Sequence, residues 1–301
     1  MVSKSAESPM VLLAFGRRDT QTCTMSAQLT HLPADCTVDD VLDVSERDGG
    51  VIVHGLFSPV LVARFNAELE PLLDAHGGTN SGSDASDDFL GRKTRRLQGL
   101  AAKAPSFVEI LLEPRFVNVA ESILEPVSPQ VIMNNGEVID IGPGEAAQPL
   151  HRDDDAWNFA RPTGPMIVNT ITALVDITPE LGGTQVVPGS HRWDSDRMPD
   201  ESEIVACTMT AGSALIFRGD TIHAGGANTT TDSRRRALST GYCCGWLRPV
   251  ENSYTNIPVD VIRMLPRRAQ ELLGYQLYDA SSVGGGYLGY HDMGDPMQLL
   301  T

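Results

Sequence analysis

The sequence lacks any apolar run of about 18 residues, so it predicts no membrane span. Cysteine is scarce: five are present, none in a CxxC spacing, which predicts reduced thiols in a cytoplasmic protein rather than a disulfide framework. Positive charge is also scarce, because 23 Lys and Arg face 39 Asp and Glu, for a formal net charge of −16. Such a surface repels phosphate backbones, so nucleic acid is not an expected partner.

The length of 301 residues suits one large domain with a sizeable buried core. We expect residues 1–30 to be a disordered extension and residues 31–301 to form a single domain. Residues 31–128 are predicted to be mainly helical. From about 129 to 250, short β-branched runs alternate with turn signals, which is typical of an all-β sandwich or barrel. Residues 251–301 open as a helix, end in a Gly- and Tyr-rich loop, and are a candidate lid.

Two local patterns within the first part carry further predictions. Ser58 followed by Pro59 is typical of a helix start, and Leu61, Phe65 and Leu69 then fall on one helical face together with Leu72. Residues 76–88 are rich in Gly, Ser and Asp, which predicts a loop.

The segment "QPLHRDDDAWNF" places one histidine beside three aspartates. In a strand, residues i and i+2 point to the same face, so His151 and Asp153 could reach one ion while Arg152 and Asp154 point away. Two histidines and one carboxylate on one face are typical of an Fe(II) site that leaves three coordination positions open. The alternative to a metal site is a polar turn whose histidine is simply hydrogen-bonded. A second histidine at a suitable position would favour the metal site.

The best-placed second histidine is His223, which ends a β run and is followed by two glycines that permit a tight turn. His191 also follows a strand and a turn, but we expect it to have a structural hydrogen-bonding role. The basic cluster Arg234, Arg235 and Arg236 enters the next strand, where one arginine could clamp a carboxylate through two parallel hydrogen bonds.

In combination and order, "QPLHRD", "GGTQVVPGSHRW", "GDTIHAGGANTT" and "RRRALSTGY" resemble the phytanoyl-CoA dioxygenase family, within it the branch that oxidises natural products. The resemblance implies a mainly β fold with flanking helices, built on a double-stranded β-helix of the jelly-roll or cupin type. It also implies an Fe(II)-, 2-oxoglutarate- and O₂-dependent dioxygenase. His151, Asp153 and His223 would be the catalytic metal ligands, and the presence of Asp153 argues against halogenation.

The resemblance also implies residues that bind 2-oxoglutarate. Aligning "RRALS" with the family's strand start selects Arg235 for the distal carboxylate, although spacing alone also allows Arg234. Gln148 and Thr184 match positions that hydrogen-bond the co-substrate in this branch.

The expected substrate is a hydrophobic secondary metabolite such as a terpenoid or an alkaloid. Its pocket should be largely apolar, with Trp157, Phe159 and Trp246 as candidate walls, although plain core packing explains each aromatic equally well. The segment 91–99 and the C-terminal tail could cover the pocket. A homodimer is compatible with these features. The alternatives are a hydroxylase of an acyl-CoA or another primary metabolite, a cupin-like protein that binds metal without turnover, and a zinc hydrolase on the same ligands.

Overall fold

A computed structural model describes residues 27–76, 78, 81–157 and 164–301. Of the predicted extension at residues 1–30, residues 1–26 lie outside the described residues. Its last residues belong to the fold, because Leu29 is buried and Thr30 begins the first strand.

The strands in the described part of the chain are β1 (Thr30–Leu32), β2 (Gly50–Val53), β3 (Thr94–Leu97), β4 (Val131–Ile141), β5 (Ile167–Ala173), β6 (Gln185–Val186), β7 (Val205–Ala206), β8 (Ala214–Arg218), β9 (His223–Ala224), β10 (Arg235–Cys244), β11 (Tyr278–Asp279) and β12 (Tyr287–Leu288). A seven-stranded sheet has the order β1-β2-β8-β5-β10-β4-β3, and a three-stranded sheet has the order β7-β6-β9. All of these pairs are antiparallel except β1 with β2. The strands β11 and β12 form a separate hairpin.

The helices in the same residues are α1 (Val38–Asp48), α2 (Pro59–Asp74), α3 (Asp84–Leu90), α4 (Leu100–Lys103), α5 (Phe107–Leu111), α6 (Pro114–Leu124), α7 (Ser253–Asn256), α8 (Val259–Met264) and α9 (Arg267–Leu272). None of the described helices has the length and apolar character that a membrane crossing requires.

Two apolar clusters hold these layers together. The larger joins helices to one side of the large sheet and contains Phe65 of α2, Phe116 of α6 and Tyr242 of β10, all fully buried. The smaller joins both sheets and includes Ile171 of β5 and Val186 of β6. Two mainly antiparallel sheets with helices on one outer face agree with the predicted double-stranded β-helix.

The division at residue 128 does not separate a helical part from a β part. The strands β1, β2 and β3 precede that boundary, yet they form both edges of the large sheet. The reason is pairing between residues far apart in sequence: β2 pairs with β8, and β3 pairs with β4. The short apolar run "GGVIVHGLFSP" does predict a buried strand, and β2 lies within it. The distant partner of each of these strands is not visible as a local pattern.

The helix predicted after Ser58 is confirmed, because the Ser58 hydroxyl accepts a hydrogen bond from the Leu61 amide at 3.2 Å. On its inner face Phe65 and Leu69 are buried as predicted, whereas Leu61 is only half-buried. The loop predicted at 76–88 is wrong at its end, because α3 begins at Asp84.

Candidate metal centre and cavity

The two predicted histidine ligands lie opposite each other across an antiparallel bridge. The His151 amide donates to the His223 carbonyl, and the His223 amide donates to that of His151, both at 2.9 Å. Their ring centroids are 4.4 Å apart. The bridge therefore brings together two side chains that are 72 residues apart in the chain.

Each imidazole is oriented by a backbone carbonyl. Nδ1 of His151 lies 2.8 Å from the Pro149 oxygen, and Nδ1 of His223 lies 3.1 Å from the Thr221 oxygen. With Nδ1 as the donor, Nε2 of each ring is left with its lone pair free for a metal. Both Nε2 atoms face Asp153, at 3.4 Å from its two carboxylate oxygens.

Asp153 reaches this position from a different backbone conformation than predicted. Residues Asp153–Trp157 form a short 3₁₀ helix, so the segment is not a continuous strand. The Asp153 carboxylate accepts a hydrogen bond from the side-chain amide of Asn169 in β5, at 2.7 Å. Burial alone would raise the pKa of Asp153, but the two imidazoles beside it outweigh this effect and keep the pKa well below its usual range.

The other two aspartates of the segment lie elsewhere. Asp154 is buried and accepts hydrogen bonds from the Met166 amide at 3.2 and 3.3 Å, so it fastens the end of the segment to the start of β5. Asp155 is exposed. Asp154 is therefore a structural anchor on the side away from the two histidines.

The donor set fits a divalent metal of the iron type. Ligand atoms of His151, Asp153 and His223 all lie within 4.8 Å of one another. They form the only such group of three or more His, Cys, Asp or Glu side chains among the residues that the structure describes. His191 is not part of it, and its Nε2 lies 3.1 Å from the Glu46 carbonyl oxygen, which agrees with the structural role predicted for it.

A single guanidinium of the basic cluster points into the cavity beside this group. Arg235 is 2% exposed and donates to the Gly182 carbonyl and the Thr184 hydroxyl, each at 3.2 Å. Its Nε has no hydrogen-bond partner in the described residues. Burial, with a smaller effect from the nearby charge of Arg96, lowers its pKa to about 10. Among the described residues this buried cation has no carboxylate partner, which fits an anionic ligand.

Both neighbours of Arg235 point to the opposite face of the sheet, as strand alternation requires. Nε of Arg234 lies 2.7 Å from Asp140, and Nε of Arg236 lies 3.3 Å from it. Nη2 of Arg95 pairs with the same fully buried carboxylate at 2.6 Å. Arg234 and Arg236 are therefore engaged away from the cavity, whereas Arg235 lines it. Contact of Arg235 with 2-oxoglutarate stays a prediction.

Gln148 also lines the cavity, but both ends of its amide have protein partners. Its nitrogen donates to the Phe89 carbonyl at 3.0 Å, and its oxygen accepts from the Gly225 amide at 2.9 Å. In this structure it connects α3 to the glycines after His223. Contact with a co-substrate therefore stays a prediction for Gln148.

The cavity has a volume of about 440 Å³ and two kinds of wall. Isoleucines of β4 and β5 form an apolar wall, together with the rings of Phe89 and Phe217 that pack edge-on against His151 and His223. The rest of the lining is polar and comes from Arg96, Asn134, Asn135, Glu137 and Ser239. The exposed lining as a whole is mainly apolar, as predicted.

The predicted aromatic walls have different outcomes. Trp157 lines the cavity, and its indole nitrogen donates to the Arg248 carbonyl at 3.2 Å. Phe159 lies outside the described residues. Trp246 does not line the cavity: it packs against the larger apolar cluster and donates to the Val127 carbonyl at 2.9 Å. The prediction for Trp246 is therefore wrong, and its role is core packing.

The cavity is covered by α3 and the start of β3. Asp88, Phe89 and Leu90 line it from α3, which lies before the predicted segment 91–99. Gly91, which also lines it, belongs to that segment. Residues 251–301, all of which the structure describes, contribute nothing to its lining, which ends at Val250. The C-terminal residues therefore do not line the cavity in this structure, and a C-terminal lid stays a prediction.

Three features of the site were missed by sequence reasoning: the Asn169 contact to Asp153, the Phe89 contact to His151, and the pairing of Arg96 with Glu137. A signal existed for the first, because a lone asparagine in the otherwise apolar or β-branched run "IVNTITA" requires a partner once buried. The other two depend on how β3 and α3 lie over β4.

Comparison with known proteins gives concordant results. Residues 45–237 match the family model described as phytanoyl-CoA dioxygenase (PhyH). The chain is 36% identical to dioxygenase aneA of Aspergillus aculeatus, over 78% of this chain and 82% of the relative. It is 32% identical to dioxygenase FrzG of a Cladobotryum species, over 82% and 88% of the two chains.

A solved structure shares the fold. It is the non-heme alpha-ketoglutarate-dependent epimerase SnoN from nogalamycin biosynthesis, 24% identical, with a TM-score of 0.56 over 69% of this chain and 81% of that one. Because the family model matches more than half of the sequence, and because a relative above 30% identity spans most of both chains, the protein belongs to the phytanoyl-CoA dioxygenase family.

Proposed function

We propose that the protein oxidises a C–H bond of a secondary metabolite such as a terpenoid or an alkaloid. As a member of the phytanoyl-CoA dioxygenase family it is a dioxygenase that uses iron(II), 2-oxoglutarate and dioxygen. The observation that carries the proposal is one cavity that holds both a two-histidine, one-aspartate cluster and a buried arginine without a carboxylate partner.

His151, Asp153 and His223 would hold the iron through two Nε2 atoms and a carboxylate. Bound iron supplies the means to couple oxidation of 2-oxoglutarate to oxidation of the substrate. The Asn169 side-chain amide donates to the Asp153 carboxylate at 2.7 Å and keeps it turned toward the imidazoles. The ligand set is therefore organised before the metal arrives.

Arg235 and Thr184 would bind the distal carboxylate of 2-oxoglutarate. Arg235 has five N–H donors, of which two are used by the protein, so a fork of donors remains for a planar carboxylate. A buried, already desolvated guanidinium loses little further hydration when the anion binds, which strengthens the contact.

The remainder of the cavity would hold the substrate. Its apolar wall suits a hydrocarbon skeleton, and its polar wall suits a molecule that also carries hydrogen-bonding groups. The relatives aneA and FrzG are named dioxygenases, and SnoN, which shares the fold, belongs to nogalamycin biosynthesis. Both similarities support an oxidative role in natural-product formation. A cytoplasmic location and a homodimeric assembly stay predictions.

The test uses the purified full chain with iron(II), 2-oxoglutarate and air, and measures succinate and products with a panel of terpenoids and alkaloids. We expect succinate that depends on iron, and an oxidised product from at least one panel member. The variant His223→Ala should lose both, whereas His191→Ala should lose neither. Iron-loaded wild-type protein that releases no succinate would refute the proposal in favour of a protein that binds metal without turnover.

A further inference from the structure

One half-buried carboxylate of the cavity accepts only one hydrogen bond among the described residues. Glu137 of β4 accepts a single hydrogen bond, from Nη1 of Arg96 to Oε2 at 3.0 Å. Its Oε1 has no partner in the described residues. Arg96 uses Nε to bind the Leu90 carbonyl, and its Nη2 has no partner there either.

Two fully buried carboxylates around this strand behave differently. Asp140, three residues further along β4 and on its opposite face, has both oxygens paired with arginines. Glu251 accepts from the Gly99 amide through Oε1 and from the Gly136 amide through Oε2. A carboxylate whose role is purely structural has both oxygens satisfied here, because an unsatisfied buried oxygen is costly.

The free atoms of Glu137 and Arg96 are accessible from the cavity. Both residues line it, and their side chains are only 16% and 13% exposed. Burial is the main effect that raises the pKa of Glu137, and the nearby Arg96 charge opposes it. The pair therefore presents one acceptor, Oε1, and one donor group, Nη2, in a largely desolvated wall.

We infer that Arg96 and Glu137 form a substrate-binding subsite for a lactam, a cyclic amide whose N–H and C=O point to the same side. The N–H of such a group would donate to Oε1 of Glu137, and its carbonyl would accept from Nη2 of Arg96. An ester or lactone has the same shape but lacks the N–H donor, so it would leave Oε1 unpaired. The inference rests on the proposed function and narrows its substrate class to nitrogen-containing, amide-bearing molecules.

Glu137 would then be a specificity-determining residue. A site built to hydrogen-bond a substrate N–H discriminates strongly against an analogue without it, because the buried acceptor loses its partner. In Glu137→Gln, the amide oxygen would turn toward Arg96 and the NH₂ group would face the cavity. A donor would then oppose the substrate N–H, and the preference for a lactam should disappear.

The experiment compares binding of isosteric probes to the nickel- and 2-oxoglutarate-loaded full chain by calorimetry and by quenching of tryptophan fluorescence. The probes are quinolin-2(1H)-one, its lactone isostere coumarin, and 1-methylquinolin-2-one, which keeps the carbonyl but lacks the N–H. We expect wild-type protein to bind the lactam at least about tenfold more tightly than either analogue, as expected for one hydrogen bond to a charged group.

The matched control is Glu109→Gln, the same change in a surface Arg–Glu pair formed with Arg64. The control should keep the wild-type preference, and Glu137→Gln should reduce it to about twofold or less. Thermal melting and nickel binding check that each variant is folded, and the three-probe comparison on wild-type protein stands without any variant.

Lactam binding no tighter than lactone binding, including no binding of either, overturns the inference. So does an undiminished lactam preference in a folded Glu137→Gln variant. The two hypotheses fail separately. Succinate release without lactam preference removes only the subsite, and absence of succinate release removes the proposed reaction.

Discussion

Replacement of Arg235 is expected to remove 2-oxoglutarate binding while leaving the fold intact. Two new hydrogen bonds from this buried guanidinium to a carboxylate would each contribute about 1.5–3 kcal/mol, because both partners are charged. Their sum, about 3–6 kcal/mol, corresponds to roughly 10²- to 10⁴-fold weaker binding in Arg235→Ala. The affinity of Arg235→Lys for 2-oxoglutarate should lie between those of the wild-type protein and Arg235→Ala, because an ammonium group cannot reproduce the planar fork.

The neighbouring arginines provide matched controls on the same strand. Arg234 and Arg236 pair with Asp140 on the opposite face, so Arg234→Ala and Arg236→Ala should lower stability and change 2-oxoglutarate affinity by less than about threefold. Calorimetric titration of the nickel-loaded variants with 2-oxoglutarate measures the affinities, and urea denaturation measures the stabilities. Unchanged affinity in Arg235→Ala, with a large loss in either control, would refute the assignment.

Three further outcomes are expected. His223→Ala should abolish iron binding with little effect on the melting temperature, whereas His191→Ala should retain iron; the reverse pattern in metal analysis would contradict the ligand assignment. Asp153→Gly should lose iron, but Asp154→Ala should retain it and be destabilised by about 1–3 kcal/mol, since the buried Met166 amide loses its acceptor; iron loss in a folded Asp154→Ala protein would argue against its structural role. Asp140→Ala should cost about 3–5 kcal/mol in urea denaturation, because three arginines lose a buried counter-ion; a cost below about 1 kcal/mol would show that the cluster is not stabilising.

Local chemistry in the sequence was sufficient to single out the candidate metal ligands that the structure brings together. Metal binding needs particular side chains, and His151, Asp153 and His223 carry them within recognisable short motifs. The reason given for the first pair was partly wrong, since Asp153 approaches through a 3₁₀ helix rather than along a strand. Residues two apart can converge in either conformation, so the prediction of proximity survived an incorrect backbone.

Local chemistry was also sufficient for helix α2, whose cap at Ser58 uses atoms only three residues apart. The same approach failed at α3 and at Trp246. A short polar helix has no apolar periodicity to reveal it, and a tryptophan near the site packs equally well in the core or in a pocket wall.

Tertiary structure decided what depends on pairing between distant segments. The register of β10 against β4 and β5 turned Arg235 to the cavity and its two neighbours to Asp140. The same sheet placed Asn169 beside Asp153 and Arg96 beside Glu137. A sequence specifies which side chains alternate along each strand, but the face that is inward is set by long-range hydrogen bonding and burial. The candidate ligand set was therefore predictable from the chain, and the family resemblance selected Arg235. The face of the sheet to which Arg235 points, and the polar wall of the cavity, depended on the tertiary structure.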